Sequence, residues 1–215
     1  MIQPPKVKVC GLTNLTEIQD LINLGVHYLG FIFYEASLRY VLNHLSLEDI
    51  ANIHHEAKVG VFVNHPLDEV VDIATQAELS AIQAHGDEHL EDLQYLRAHL
   101  PPQTKIIKVV RVGEQLPNLE AYLHTDVIDY LLFDTDSASF GGTGQAFDWK
   151  CLNEVHLTKP YVLSGGINGD QLPKLSLLRQ QPTVLDINSK FETAPGRKNL
   201  AQIKDFLYQL GYSAS

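Results

Sequence analysis

No stretch of this chain approaches the roughly 18 consecutive apolar residues that a membrane-spanning helix needs, which excludes an α-helical membrane protein. Cysteine is scarce: two residues in 215 do not make a disulfide framework, and no Cys/His spacing resembles a zinc site. A reducing, cytoplasmic location is therefore expected. The opening Met1-Ile2-Gln3-Pro4-Pro5-Lys6 is not followed by the apolar core of a signal peptide. Basic residues are in deficit, 16 against 26 acidic for a net charge of −10. That balance argues against nucleic-acid binding, which wants a basic stripe. An anionic ligand would need a local positive site, from a few cations or helix N-termini. Linkers, low-complexity stretches and charge runs are also missing, so one domain over residues 1–215 is expected.

What is present is an alternation. Short runs rich in Val, Ile, Leu and Phe predict strands near Lys6–Cys10, Tyr28–Phe33, Lys58–Val63, Ala81–Gln83, Lys105–Val109, Tyr130–Phe133, Tyr161–Leu163 and Thr183–Ile187. Between them lie stripes with helical spacing: Leu15, Ile18, Leu21 and Ile22, then Leu67, Val70, Val71 and Ala74, then Leu90, Leu93 and Leu96. A last stripe is formed by Leu200, Ile203, Phe206, Leu207 and Leu210. Asn14 and Thr16 are candidate caps for the first helix, Pro66 suits the first turn of the third, and the helix near Asp148–Glu154 should be short. Eight such units in roughly 200–250 residues fit a closed (β/α)8 TIM barrel. The rival is an open doubly wound sheet. It usually has fewer strands and often a Gly-rich dinucleotide turn after the first, where this chain has Cys10-Gly11-Leu12-Thr13.

In such a barrel, chemistry collects where the strands end. Those ends are polar here, while the strand bodies are apolar. Strand one ends at Cys10, strand two leads to Arg39, strand four to His85-Gly86-Asp87-Glu88, and strand five to Arg111. Strand six ends at Asp134 and leads to Gly141-Gly142-Thr143-Gly144. Strands seven and eight end in Ser164-Gly165-Gly166 and Asp186-Ile187-Asn188-Ser189. A thiol and a carboxyl at strand ends suggest a base and an acid. Each also has a plain reading: cysteine often only packs, and Asp134 could cap a loop. Cys151 is read as packing. Strand alternation puts Lys8 and Cys10 on one inward face, where Lys8 needs a partner and Asp186 is the candidate. A cation there would favour a Cys10 thiolate. Asp134, as an acid, would have to hold a proton near neutrality. Arg39 could fork onto a carboxylate or be a solvated surface residue, and His85 could orient neighbours or react. Free N–H groups on Gly165-Gly166 and Asn188-Ser189 could hold a phosphate, or these segments could be plain turns.

Read together, Lys-Val-Cys-Gly-Leu-Thr, Leu-Gly-Phe-Ile-Phe, Val-Gly-Val-Phe-Val-Asn, Gln-Ala-His-Gly-Asp-Glu, Leu-Leu-Phe-Asp-Thr, Gly-Gly-Thr-Gly, Leu-Ser-Gly-Gly-Ile-Asn and Phe-Glu-Thr-Ala-Pro-Gly resemble the phosphoribosylanthranilate isomerase family. They run in the family's order from about Lys6 to Gly196. The resemblance implies a tryptophan-pathway enzyme that performs an Amadori rearrangement on a small phosphosugar, with no cofactor and no metal. It implies Cys10 as base, Asp134 as acid, and Arg39 as holder of the anthranilate carboxylate. It places Gly165, Gly166, Asn188 and Ser189 at the phosphate, with His85 and Gly142 as further substrate contacts. Three departures stand out. Leu38 replaces a family Pro before Arg39, Ala84 replaces a Leu, and Lys190 occupies a family Gly position. A backbone needing φ > 0 at position 190 would disfavour Lys190, whose charge could in turn serve the phosphate. Two other readings are weighed. The ribosyl isomerase of histidine synthesis carries Asp where Cys10 stands, and a non-catalytic phosphate-binding barrel would need neither Cys10 nor Asp134. Monomer and homodimer are both open.

Overall fold

The computed structural model describes residues 3–135 and 147–212. The near-continuous apolar runs do become parallel strands: β1 (Lys6–Val9), β2 (Tyr28–Ile32), β3 (Lys58–Phe62), β4 (Ala81–Ala84), β5 (Lys105–Val112), β6 (Tyr130–Thr135), β7 (Tyr161–Leu163) and β8 (Val184–Ile187). They close into one barrel in sequence order, with β1 hydrogen-bonded to β8. Closure leaves the barrel without an unpaired edge. The ladder continues one residue beyond β1, because the Cys10 N–H donates to the Ile187 carbonyl at 2.9 Å.

Side-chain alternation sorts each strand between two layers. Val59, Ile107, Leu132, Val162 and Val184 point inward and fill the barrel, with Tyr28 and Tyr130 packed against them. The outward-facing side chains meet the helices: α1 (Leu15–Asn23), α2 (Leu47–Ala51), α3 (Leu67–Gln76), α4 (Leu90–His99), α5 (Glu120–Leu123) and α6 (Leu200–Gln209). In α1 the stripe buries Ile18 and Leu21, and in α6 it buries Ile203, Phe206 and Leu207. Each such side chain contributes about 1.5–3 kcal/mol. Asn14 caps α1, its side chain accepting from Glu17 N–H at 3.0 Å. Pro66 stands at the N-cap of α3 rather than in its first turn.

The return segments are less regular than a strand-helix alternation predicts. Trp149–Glu154 and Gly169–Leu177 are 3-10 helices. Pro173 lies inside the second, where it lacks an N–H and its ring crowds an α-helical turn. After β8 the chain forms a hairpin that the apolar periodicity does not reveal: β9 (Glu192–Ala194) pairs antiparallel with β10 (Arg197–Lys198). Pro195-Gly196 forms its tip, with Gly196 at φ 79°. No helix among the described residues is long and apolar enough to cross a membrane.

Candidate active site

A cavity of about 490 Å3 opens at the C-terminal ends of the strands. Cys10, Arg39, His85, Asp134, Gly165, Gly166, Asn188 and Ser189 all line it. The structure therefore gathers every expected site residue except Gly142, which lies outside the described residues.

On one side sits Cys10, buried at the end of β1. Beneath it, Lys8 donates to Asp186 Oδ2 at 2.8 Å, as the β1–β8 register with Lys8 opposite Asp186 requires. Burial works against the Lys8 charge, but Asp186 and Cys10 outweigh it and hold the ammonium above its ordinary value. Against the expected thiolate stands the effect of burial on Cys10. Burial pushes its thiol up, and the pull of Lys8 and Lys198 in the other direction is the smaller effect. Desolvating a thiolate exceeds what those cations return.

The loop after β2 brings Arg39 over this corner, but not as a free fork. Its Nε donates to both Glu192 carboxylate oxygens at 2.9 and 3.0 Å, and Nη2 donates to Oε2 at 2.6 Å. Glu192, the first residue of β9, is 3% exposed in its side chain. It also accepts from Lys198 Nζ at 2.6 Å and from Gly196 N–H at 3.1 Å. Lys198 Nζ donates in addition to Asn188 Oδ1 at 2.9 Å. Gly11, at φ 73°, makes room for this packing: a Cβ there would lie 2.6 Å from Arg39 Cδ and 2.9 Å from Asn188 Oδ1. Glu192 and Lys198 were not singled out as site residues from the sequence. The available signal was the Glu192-to-Gly196 segment, whose Pro-Gly pair between short polar stretches marks a turn.

Across the cavity, Asp134 is the penultimate residue of β6, with its side chain 17% exposed and 3.5 Å from His85 Nε2. His85 Nδ1 lies 2.8 Å from Gln83 Nε2. With the Gln83 amide as assigned, Nδ1 accepts and Nε2 carries the proton facing Asp134. Gly165 allows the next loop to approach. Its φ is 84°, and a Cβ would fall 2.5 Å from Thr135 Oγ1 and 3.0 Å from Asp134 Oδ1. Gly166 also has positive φ, 69°. Lys190 sits in the short 3-10 turn Ser189–Phe191 and is not among the positive-φ residues. The lost glycine therefore leaves no backbone strain there. Arg111 pairs with Asp87, and Lys108 with Glu88 at 3.1 Å, on the far side of the rim.

Known proteins of one family share this fold. The family model described as N-(5′-phosphoribosyl)anthranilate (PRA) isomerase matches residues 7–209. The chain belongs to this family. It is 36% identical to the N-(5′-phosphoribosyl)anthranilate isomerase of Gloeothece citriformis, over 95% of this chain and 93% of that one. It resembles the crystal structure of phosphoribosyl anthranilate isomerase from Thermotoga maritima with a TM-score of 0.81 and 31% identity, covering 96% and 98% of the two chains. A further isomerase structure, 30% identical with a TM-score of 0.74, was solved in complex with reduced 1-(o-carboxyphenylamino)-1-deoxyribulose 5-phosphate. That match covers 96% of this chain and 98% of the other. Membership confirms the barrel and the family expected from the motifs, and sets aside the histidine-pathway reading.

Proposed function

We propose that the chain is the isomerase its family is named for. It converts N-(5′-phosphoribosyl)anthranilate to 1-(2-carboxyphenylamino)-1-deoxyribulose 5-phosphate, an Amadori rearrangement in tryptophan biosynthesis. The observation that carries the reading is the placement of Cys10 and Asp134 on one cavity, on strands one and six of a closed barrel.

Asp134 donates a proton to the ribose ring oxygen, and the furanose opens to a protonated Schiff base. Cys10, as thiolate, removes the C2′ proton, and the resulting enolamine tautomerises to the ketone. His85 orients Asp134 through the proton on Nε2. Because burial makes the resting thiol the favoured form of Cys10, the minor thiolate is the reactive one. Each group supplies about 10²–10⁴ in rate.

Arg39 takes the anthranilate carboxylate with Nη1, the guanidinium nitrogen not committed to Glu192, which makes the contact single rather than forked. Backbone N–H groups of Gly165, Gly166 and Ser189 take the phosphate, together with the Asn188 side-chain amide, whose oxygen Lys198 already occupies. Lys190, at the same rim, adds an exposed positive charge. The buried oxygens Asp186 Oδ1 and Gln83 Oε1 have no partner among the described residues, and both residues line the cavity. They are suited to accept from ribose hydroxyls.

The test is turnover of freshly made phosphoribosylanthranilate, followed by loss of anthranilate fluorescence, in wild type and Cys10→Ala. Turnover in the wild type that is lost in the variant supports the reading. A folded wild type that binds a phosphorylated product analogue without turnover overturns it.

A further inference from the structure

The corner that holds Cys10 contains more charge than a proton abstraction alone requires. Three cations converge on it from three elements: Lys8 from β1, Arg39 from the loop after β2, and Lys198 from β10. Two carboxylates answer them, Asp186 from β8 and Glu192 from β9. Lys8 is matched to Asp186 at 2.8 Å. Glu192 has to serve both remaining cations, Arg39 at 2.6 Å and Lys198 at 2.6 Å. With Cys10 as a thiol the cluster thus carries one uncompensated positive charge. That charge is well shielded from water, since the Lys198 side chain is 0% exposed. The other charged groups around the corner do not supply the missing anion. Arg197 and Glu17 pair with each other at 2.6 Å, Asp134 faces His85, and Lys190 at the rim adds to the positive side.

We propose that Lys198 is a positioning residue for the reaction: a buried surplus cation that makes the Cys10 thiolate the balancing anion of this cluster. It acts through two contacts. Its bond to Asn188 Oδ1 fixes the loop lying over Gly11, next to Cys10. Its bond to Glu192 shares the carboxylate that grips Arg39. An unmatched buried cation is unfavourable by itself. Ionising Cys10 relieves that imbalance at the moment the base is needed. Burial pushes Lys198 below the ordinary amine value, while Glu192 and Cys10 pull it back. This role rests on Cys10 being the base, but the ionisation it describes can be read without turnover.

The experiment measures alkylation of Cys10 by iodoacetamide against pH in a Cys151→Ser background, which leaves Cys10 as the sole thiol of the chain's two. Lys198→Met should move the alkylation midpoint up by about one pH unit or more, and Lys198→Arg should restore most of it. Glu192→Gln removes an anion from the same cluster and should move the midpoint down. The high-pH activity limb should follow the midpoint in each variant. Unchanged midpoints in folded Lys198→Met and in Glu192→Gln overturn the proposal. If Lys198→Met does not fold, Glu192→Gln decides by itself: a downward shift supports the proposal, and no shift overturns it. Midpoints that shift as predicted while the activity limb stays where it was would instead count against Cys10 as the base, and leave the electrostatic role standing.

Discussion

The two sides of the barrel mouth are built by different means. The Cys10 side is a buried lattice of two ion-pair groups: Lys8 with Asp186 at 2.8 Å, and Glu192 shared by Arg39 and Lys198 at 2.6 Å each, all largely out of water. The Asp134 side is open. Its carboxyl is 17% exposed, its neighbour across 3.5 Å is His85 Nε2, and it borders Gly165. A buried thiol can lose its proton only if fixed charges receive the anion, because water is not there to do so. A carboxyl at the rim keeps its contact with solvent, where water can serve its charge. The base side should therefore tolerate substitution poorly in both stability and rate, and the acid side chiefly in rate.

The largest effects fall on the reacting groups. Cys10→Ala and Asp134→Asn should each lower kcat by about 10²–10⁴ with little change in KM, read in steady-state kinetics. Near-normal turnover in either would remove that residue from the mechanism. The sides should part company in unfolding experiments. Lys8→Met strands Asp186 as an unpaired buried carboxylate and should destabilise the fold by about 3–5 kcal/mol in urea. His85→Asn, across the mouth, should leave the midpoint nearly unchanged while lowering kcat. Equal destabilisation by the two would erase the distinction.

Arg39→Lys sharpens the comparison from the side of binding. A lysine cannot reproduce the fork onto Glu192, so KM should rise about tenfold while kcat falls less. The pH dependence of stability separates the sides too. The fold raises the Cys10 value, so its contribution is complete below the ordinary thiol pKa. It is lost as pH rises through the higher folded value. Urea midpoints of wild type should thus fall at alkaline pH, and those of Cys10→Ser should fall less. Parallel curves would mean that burial does not shift this thiol.

How much of this could be read from the chain follows the same divide. The eight strands were legible because parallel strands buried on both faces must be apolar throughout, and Cys10 and Asp134 were legible because they end such runs. The Lys8–Asp186 pair followed from alternation and from barrel closure. Lys198 and Glu192 were not legible as site residues. Their hairpin is only three and two residues per strand, too short for any period, and Glu192 meets Arg39 across 153 positions of sequence. The short helix at Trp149–Glu154 was legible but its 3-10 form was not, since apolar spacing does not distinguish 3-10 from α-helix, although Pro173 argues against an α-helix in the next return. For the Cys10 thiolate, Lys8 carries the sign of one effect only, and burial, which pushes the thiol up, is the larger one.

The smallest effect belongs to Lys190, the residue that replaces a glycine of the family. Its 3-10 turn has no positive φ, so Lys190→Gly should not relieve strain, and thermal stability should barely change or fall slightly through chain entropy. What it removes is one exposed positive charge at the rim of a chain with net charge −10. Exposed pairs are weak and screened, so KM for the phosphorylated substrate should rise only about two- to fivefold at low salt. The difference should vanish as ionic strength approaches about 1 M, where the screening length is about 3 Å. A KM change that persists at high salt would mean that Lys190 shapes the loop rather than supplying charge. No change at low salt would leave the phosphate to the backbone of Gly165, Gly166 and Ser189. Both outcomes keep the Cys10 corner intact, because Lys190 belongs to the solvent-exposed rim and not to the buried lattice below it.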